Sequence, residues 1–245
     1  MVSLTKAARC ATDLPHATRT EERCMAPLRE RYAQQIGDLR DALLRMGSMV
    51  EQALLRAMQT LETWDTVTAT QVSNDDALID QAWRNLEERT IHLLATQQPI
   101  VASDLRLCIV VTAIAGELER IGDYANTIAK RVRQTTRRRT LLPPPPQIQA
   151  MGHLAIQMVN TSLQAFLRQD ATLAHTLAAT DEQVDALEDT LRATIIAAAQ
   201  GQPDGFEAAL DMLDVVHVIE RVADRATNIG ERVIYMVTNS VETIN

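Results

Sequence analysis

The chain has 245 residues, 46% of them hydrophobic, 23% charged and only 3% aromatic, with a formal net charge of −8. That composition describes a globular protein with an aliphatic core, and so acidic a chain with so few rings for stacking is a poor partner for nucleic acid. No apolar run approaches the length of a membrane span, and residues 1–26 lack the apolar stretch of a secretory signal, so a cytoplasmic protein without membrane insertion is expected. Cys10, Cys24 and Cys108 form no CxxC pair and no zinc spacing, which reads as reduced, unpaired thiols.

Residues 1–27 mix Thr, Ala, Arg and Glu without clear periodicity and read as a flexible N-terminal extension. From residue 28 the pattern is helical. Leu39, Leu43, Met46, Val50, Ala53, Ala57 and Leu61 recur at spacings of three and four, which predicts a first helix over 28–63. The chain turns near Asp65. A second helix follows over 66–96, with Ile79, Trp83, Leu86 and Leu93 on one stripe, and Gln97-Gln98-Pro99 stops it. A third helix opens at Ala102-Ser103-Asp104, a good capping cluster, and is expected to run to about 138 on the seam Ile114, Leu118, Ile121, Ala125, Ile128, Val132. Arg137 to Arg139 complement the negative end of that helix or form an anionic-partner patch. Pro143 to Pro146 cannot continue a helix and make 141–147 a stiff linker.

Beyond the prolines the plan repeats, with helices expected over 148–168, 171–200 and 205–243. The repeat is visible residue by residue. Asp65, Asp76 and Asp80 recur 105 positions later as Asp170, Asp181 and Asp185. ERIGDYANTIAKRV at 119–132 recurs 101 positions later as ERVADRATNIGERV, with seven of fourteen residues identical. The shared seam pairs Leu118 with Ile219, Ile121 with Val222 and Ile128 with Ile229. Two copies of one three-helix unit, 28–140 and 148–245, is the economical reading, and it makes the protein all-α.

The recurring chemical feature is an acid, three residues, then an acid: Asp76 and Asp80, Glu119 and Asp123, Asp181 and Asp185, Glu220 and Asp224. Residues four apart share a helix face, where like charges repel unless a cation compensates them. With Ile219 and Val222 at heptad positions a and d, Glu220 and Asp224 fall at b and f, so the acids are expected to form a water-facing stripe. If the second and third helices of each unit are neighbours, four carboxylates converge on one open site. Oxygen donors suit iron, manganese, magnesium or calcium, with zinc also accommodated. No Glu-x-x-His pair of the buried di-iron type occurs. His217 stands one turn before Glu220 on nearly the same face, and a lone histidine there reads as a surface residue before a ligand. The alternative to any ion site is a solvated acidic face balanced by Arg120 and Arg221.

At these residues the chain resembles the PhoU family of phosphate-uptake regulators. The likeness covers about 28–240 and rests on Ala95-Thr-Gln-Gln-Pro99, Asp104-Leu-Arg106, ERIGDYA at 119–125 and ERVADRATNI at 220–229, in that order. It implies two tandem, pseudo-symmetric three-helix bundles whose acid motifs hold surface metal ions, often iron or zinc. It also implies a negative regulator of the phosphate-starvation response, acting between the ATPase subunit of a high-affinity phosphate ABC transporter and a membrane sensor histidine kinase. Family members usually carry Asn eight residues after the motif Glu. Asn228 fits, whereas the first copy has Thr127 there and Asn126 one place early. The residue after the motif Asp, often His in the family, is Tyr124 or Arg225.

No Gly-rich phosphate loop, nucleophile elbow or kinase motif is present. The first reading is therefore a non-enzymatic adaptor, with a homodimer compatible with its long lateral faces. A carboxylate-dependent metal hydrolase or oxidase is the second reading, and metal buffering is the third.

Overall fold

The computed structural model describes residues 16–97, 99–135, 143–200 and 205–244. Among them there are only helices, turns and short irregular links. Seven helices follow in order: α1 (His16–Thr63), α2 (Thr66–Thr96), α3 (Ala102–Thr135), α4 (Gln147–Arg168), α5 (Ala171–His175), α6 (Leu177–Ala199) and α7 (Phe206–Thr238). None is long and apolar enough to cross a membrane.

The fold is the expected one, two three-helix bundles in tandem: α1, α2 and α3, then α4, the α5–α6 pair and α7. Three boundaries differ from the sequence reading. Helix α1 begins at His16, so 16–27 of the expected extension are helical. Ala, Arg, Glu and Met form helix well without any apolar stripe, and periodicity alone could not register them. Residues 1–15 lie outside the described residues, as do Arg137 to Arg139 and the start of the linker. The expected fifth helix is broken at Thr176, whose hydroxyl donates to Leu173 O at 2.7 Å while its N–H also bonds three residues back. A threonine hydroxyl on the preceding turn competes with the regular ladder. Helix α7 stops at Thr238, where Asn239 takes the left-handed conformation (φ 64°) and donates to Tyr235 O.

The hairpin turns repeat as the sequence does. Trp64 (φ 59°) and Gln169 (φ 52°) end α1 and α4 in left-handed conformations, each directly before an Asp that caps the next helix. Asp65 Oδ1 accepts from the N–H groups of Val67 and Thr68, and Asp170 Oδ1 from that of Leu173. A carboxylate at this position satisfies donors that the helix itself leaves open.

The chain divides into two compact units, Met1–Asp38 and Leu39–Asn245, and everything below concerns the larger. In it, every seam residue named for the first and third helices from Leu39 onward is buried. Helix α3 packs against α2 on one flank and α7 on another, and α7 packs against α3, α4 and α6. Leu54 and Met58 of α1, Ile128 of α3, Gly152, Ala155 and Ile156 of α4, and Ile219 and Val222 of α7 close around a void of only about 10 Å³. The inner helices of the two bundles thus share one apolar seam, and α2 and α6 flank it.

One close approach sets the site. Gly122 of α3 faces Ile79 of α2 so tightly that a Cβ on the glycine would lie 3.1 Å from Ile79 Cδ1 and 3.2 Å from its Cγ2. Ile79 lies between Asp76 and Asp80, and Gly122 between Glu119 and Asp123, so this contact draws the two acid pairs together. In the second repeat the matching residues are Val184 and Ala223, both buried. One carbon has moved from one helix to the other, and the combined side-chain volume is kept.

Candidate metal centres

Each bundle has a carboxylate groove between its second and third long helices. In the first, Asp76 and Asp80 come from α2, and Glu119, Asp123 and Asn126 from α3. Asn126 Nδ2 donates to Asp76 Oδ2 across the groove. Its Oδ1 is buried and has no hydrogen-bond partner. Arg120 lies along the rim, 3.4 Å from Asp123 Oδ2 and 3.7 Å from Glu119 Oε2, and Arg84 is 3.8 Å from Asp80. Burial pushes the Asp76 carboxyl above its ordinary range, Asn126 opposes the shift, and repulsion from Asp123 and Asp80 adds to it. Glu119 is raised by burial first and then by Asp123, with Asp80 and Asp76 also contributing. Repulsion from acids of both helices thus reaches Asp76 and Glu119.

The second groove holds Asp185 and Glu188 of α6 and His217, Glu220 and Asp224 of α7. His217 Nδ1 is 3.3 Å from Glu220 Oε2 and 3.6 Å from Glu188 Oε1. The Glu220 carboxyl is pushed up to about 7, by burial above all, with repulsion from Asp224 and Glu188 adding to it, Arg221 opposing and Asp185 contributing. Asp224 is also raised by burial, against the pull of Arg221 and Arg225. Arg221 Nε is tied to Tyr124 Oη of α3 at 3.2 Å. Asp181 is 5% exposed and is the most enclosed of the duplicated acids. Asn228 turns to the other flank of α7, where its Nδ2 donates to Glu117 Oε2 at 3.4 Å beside Arg225 Nη1 at 3.2 Å.

The water-facing stripe expected from the heptad phase needs correcting. The side chains of Glu119 and Glu220 are only 19% and 18% exposed, and Asp181 is buried. A heptad seam identifies the face toward one partner. Helices α3 and α7 have neighbours on two flanks, so their b and f positions line a groove instead of an open ridge. Asn126 also proves to be in register with its site: one place early in sequence, it still reaches Asp76 across the groove.

Sequence reasoning missed Glu188, and passed over His217 as a surface residue. The signal for Glu188 was there, because Asp181, Asp185 and Glu188 recur at four and three on one helix face. The repeat puts Trp83 at the matching position, so duplication does not mark Glu188.

The residues fit divalent cations. Carboxylate oxygens and an amide suit hard ions in the first groove, and an imidazole joins them in the second. Within the grooves, two buried oxygens, Asn126 Oδ1 and Glu220 Oε2, accept no hydrogen bond. Buried acceptors of this kind are rare and call for an external partner.

Fold and grooves together define an all-α protein of duplicated bundles, each with one anionic groove between its outer helix and an inner one. The PhoU domain model matches residues 43–132 and again 148–233, so the chain belongs to the PhoU family. The phosphate-specific transport system accessory protein PhoU homolog of Pseudomonas aeruginosa is 34% identical over 208 residues, 85% of this chain and 86% of that protein. The homolog of the same name from Clostridium acetobutylicum is 30% identical over 219 residues, 89% of this chain and 99% of that protein. Among solved structures, PhoU from Pseudomonas aeruginosa superposes with a TM-score of 0.79 at 33% identity, covering 85% of this chain and all of that one. The phosphate transport system regulatory protein PhoU from Streptococcus pneumoniae gives 0.79 at 29% identity, covering 86% and 99%.

Proposed function

We propose that this protein is a cytoplasmic, non-enzymatic accessory regulator of phosphate uptake. It holds the sensor histidine kinase of the phosphate response in its repressed state and restrains the ATPase subunit of the phosphate ABC transporter when phosphate is plentiful. The observation that carries this reading is the duplicated anionic groove in a fold whose relatives are named accessory proteins of phosphate-specific transport. The two halves, 28–140 and 148–245, are then two working copies of one unit, and a homodimer would repeat the pair.

The working mechanism is differential binding. An adaptor shifts a kinase or transporter only by the difference in its affinity for their two states. Ions held by Asp76, Asp80, Glu119 and Asp123 in one groove, and by Asp185, Glu220 and Asp224 in the other, would supply positive charge that neutralises each groove. The protein's own residues do the rest: the helix pairs fix the carboxylates, and Asn126 orients Asp76.

The test is genetic and biochemical together. Deleting the gene is expected to switch on phosphate-scavenging genes in phosphate-replete medium. The tagged protein is expected to recover the kinase and the ATPase subunit more strongly at high phosphate than at low. Unchanged expression with neither partner recovered overturns the reading.

A further inference from the structure

We propose that each bundle carries an apolar docking patch at one end of its carboxylate groove, and that each patch receives an amphipathic partner helix with an apolar end and a basic end. The inference rests on the reading of the chain as an adaptor and gives that adaptor its contact surface.

The patches show in the repeat. Ile91, Leu105 and Ile109 are between 42% and 62% exposed, and Ile196, Phe206 and Leu210 between 47% and 65%. At the offsets of 105 for the second helix of the unit and 101 for the third, these are the same three positions written twice. The other exposed large hydrophobics among the described residues fall opposite polar residues in the other copy, as Leu55 does with Asn160, Val67 with Thr172 and Leu78 with Gln183. Apolar side chains scattered singly over a surface are ordinary. A trio exposed at one place in both copies is not, and contiguous exposed apolar surface marks interaction sites.

The helix register brings each trio together. Gly122 faces Ile79 and Asn126 donates to Asp76. Antiparallel α2 and α3 therefore hold Ile91 level with Ile109, with Leu105 one turn further along α3. In the second bundle His217 meets Glu188 and Leu177 approaches Gly230. That register holds Ile196 level with Leu210, with Phe206 one turn further along α7.

Charge decides the occupant. Ile91 lies eleven residues from Asp80, and Leu105 eighteen from Asp123; Ile196 and Asp185, and Phe206 and Asp224, repeat both separations. These are close to three and five full turns, so patch and acids share one side of each helix, about 17 and 27 Å apart. In the first groove four carboxylates share Arg84 and Arg120. In the second, Arg221 and Arg225 turn away to Tyr124 and Glu117 of α3. The surface is apolar at one end and anionic at the other. The segment that complements it is a helix of about five turns, apolar at one end and basic at the other.

The probe is a synthetic 20-residue helical peptide with leucines at helical spacing in its first half and lysines in its second. It is titrated calorimetrically into the full chain at low salt, with chelator present. The wild type is expected to take two peptides. Ile109→Asp and Leu210→Asp are each expected to leave one and the double variant none, whereas Leu78→Asp keeps both. Each aspartate adds negative charge, so a purely electrostatic association would strengthen with it, and loss reports apolar contact. Glutamates in place of the peptide's lysines are expected to weaken binding about tenfold or more. All three substituted side chains are more than half exposed, and circular dichroism confirms folding. The tagged double variant is also expected to recover less kinase and ATPase subunit than the wild type. A wild type that takes up no peptide, or a double variant that still binds peptide or partners as the wild type does, overturns the proposal. So does a dimer that the double variant splits in sedimentation, since a second copy then covers the patches. A wild type that takes two peptides yet recovers neither the kinase nor the ATPase subunit overturns the adaptor reading instead.

Discussion

Glu220 shows what a carboxylate costs in such a groove. Its ordinary value is near 4.5 and it is pushed up to about 7, by burial first. Between those two values the folded chain keeps a proton that the unfolded chain has lost. Stability therefore falls as pH rises through that window and stays reduced above it. Glu220→Gln removes the penalty. In metal-free protein it is expected to raise stability by about 1–2 kcal/mol at pH 8, a figure discounted for the partly open groove, and to change little at pH 4. Urea unfolding at the two pH values measures it, and an equal effect at both would exclude a titrating Glu220 as the cause. Added Zn²⁺ should reverse the ranking, because an ion that binds only the folded state stabilises the wild type by mass action.

At the scale of elements, the pairing of α2 with α3 depends on Gly122. A methyl group there would meet the stiff, β-branched Ile79 at 3.1–3.2 Å. Gly122→Ala is expected to push the helices apart by a few tenths of an ångström and to lower stability by about 1–3 kcal/mol. It should also weaken ion binding in the first groove while sparing the second. Adding Ile79→Val, which recreates the combination found at Val184 and Ala223, should restore most of the loss. The double-mutant cycle checks this, since residues in contact are expected to depart from additivity and independent ones are not.

At the scale of the whole molecule, the two bundles are joined by the apolar seam and by a line of polar contacts along α3 and α7. Arg131 donates from Nε to Asp214 Oδ2 at 2.6 Å and lies 3.5 Å from Asp211 Oδ1. Further along, Tyr124 meets Arg221, and Glu117 meets Arg225 and Asn228. Arg131→Ala leaves two acids facing each other on one helix and is expected to cost about 1 kcal/mol at low salt, with a smaller difference in 1 M salt. Thermal melts at both ionic strengths are the check, and a salt-independent loss would point to packing of the arginine stem instead.

Much of this was legible in the linear chain because it depends on neighbours a few residues away. Apolar spacing located α2, α3 and α4 to within a few residues, Asp65 and Asp170 marked the turns, and the repeat offsets predicted the matched carboxylates. The helical start at His16 escaped because it carries no apolar stripe, and the break at Thr176 because a hydroxyl bond is invisible to periodicity. What packing alone decided is which flank of each helix is covered. The neighbours α2 and α6 turned an expected ridge into grooves, enclosed Asp181, brought Glu188 to His217, and sent Asn228 toward α3. Those outcomes depend on contacts between residues tens of positions apart, and burial and charge pairing are settled only when the helices meet.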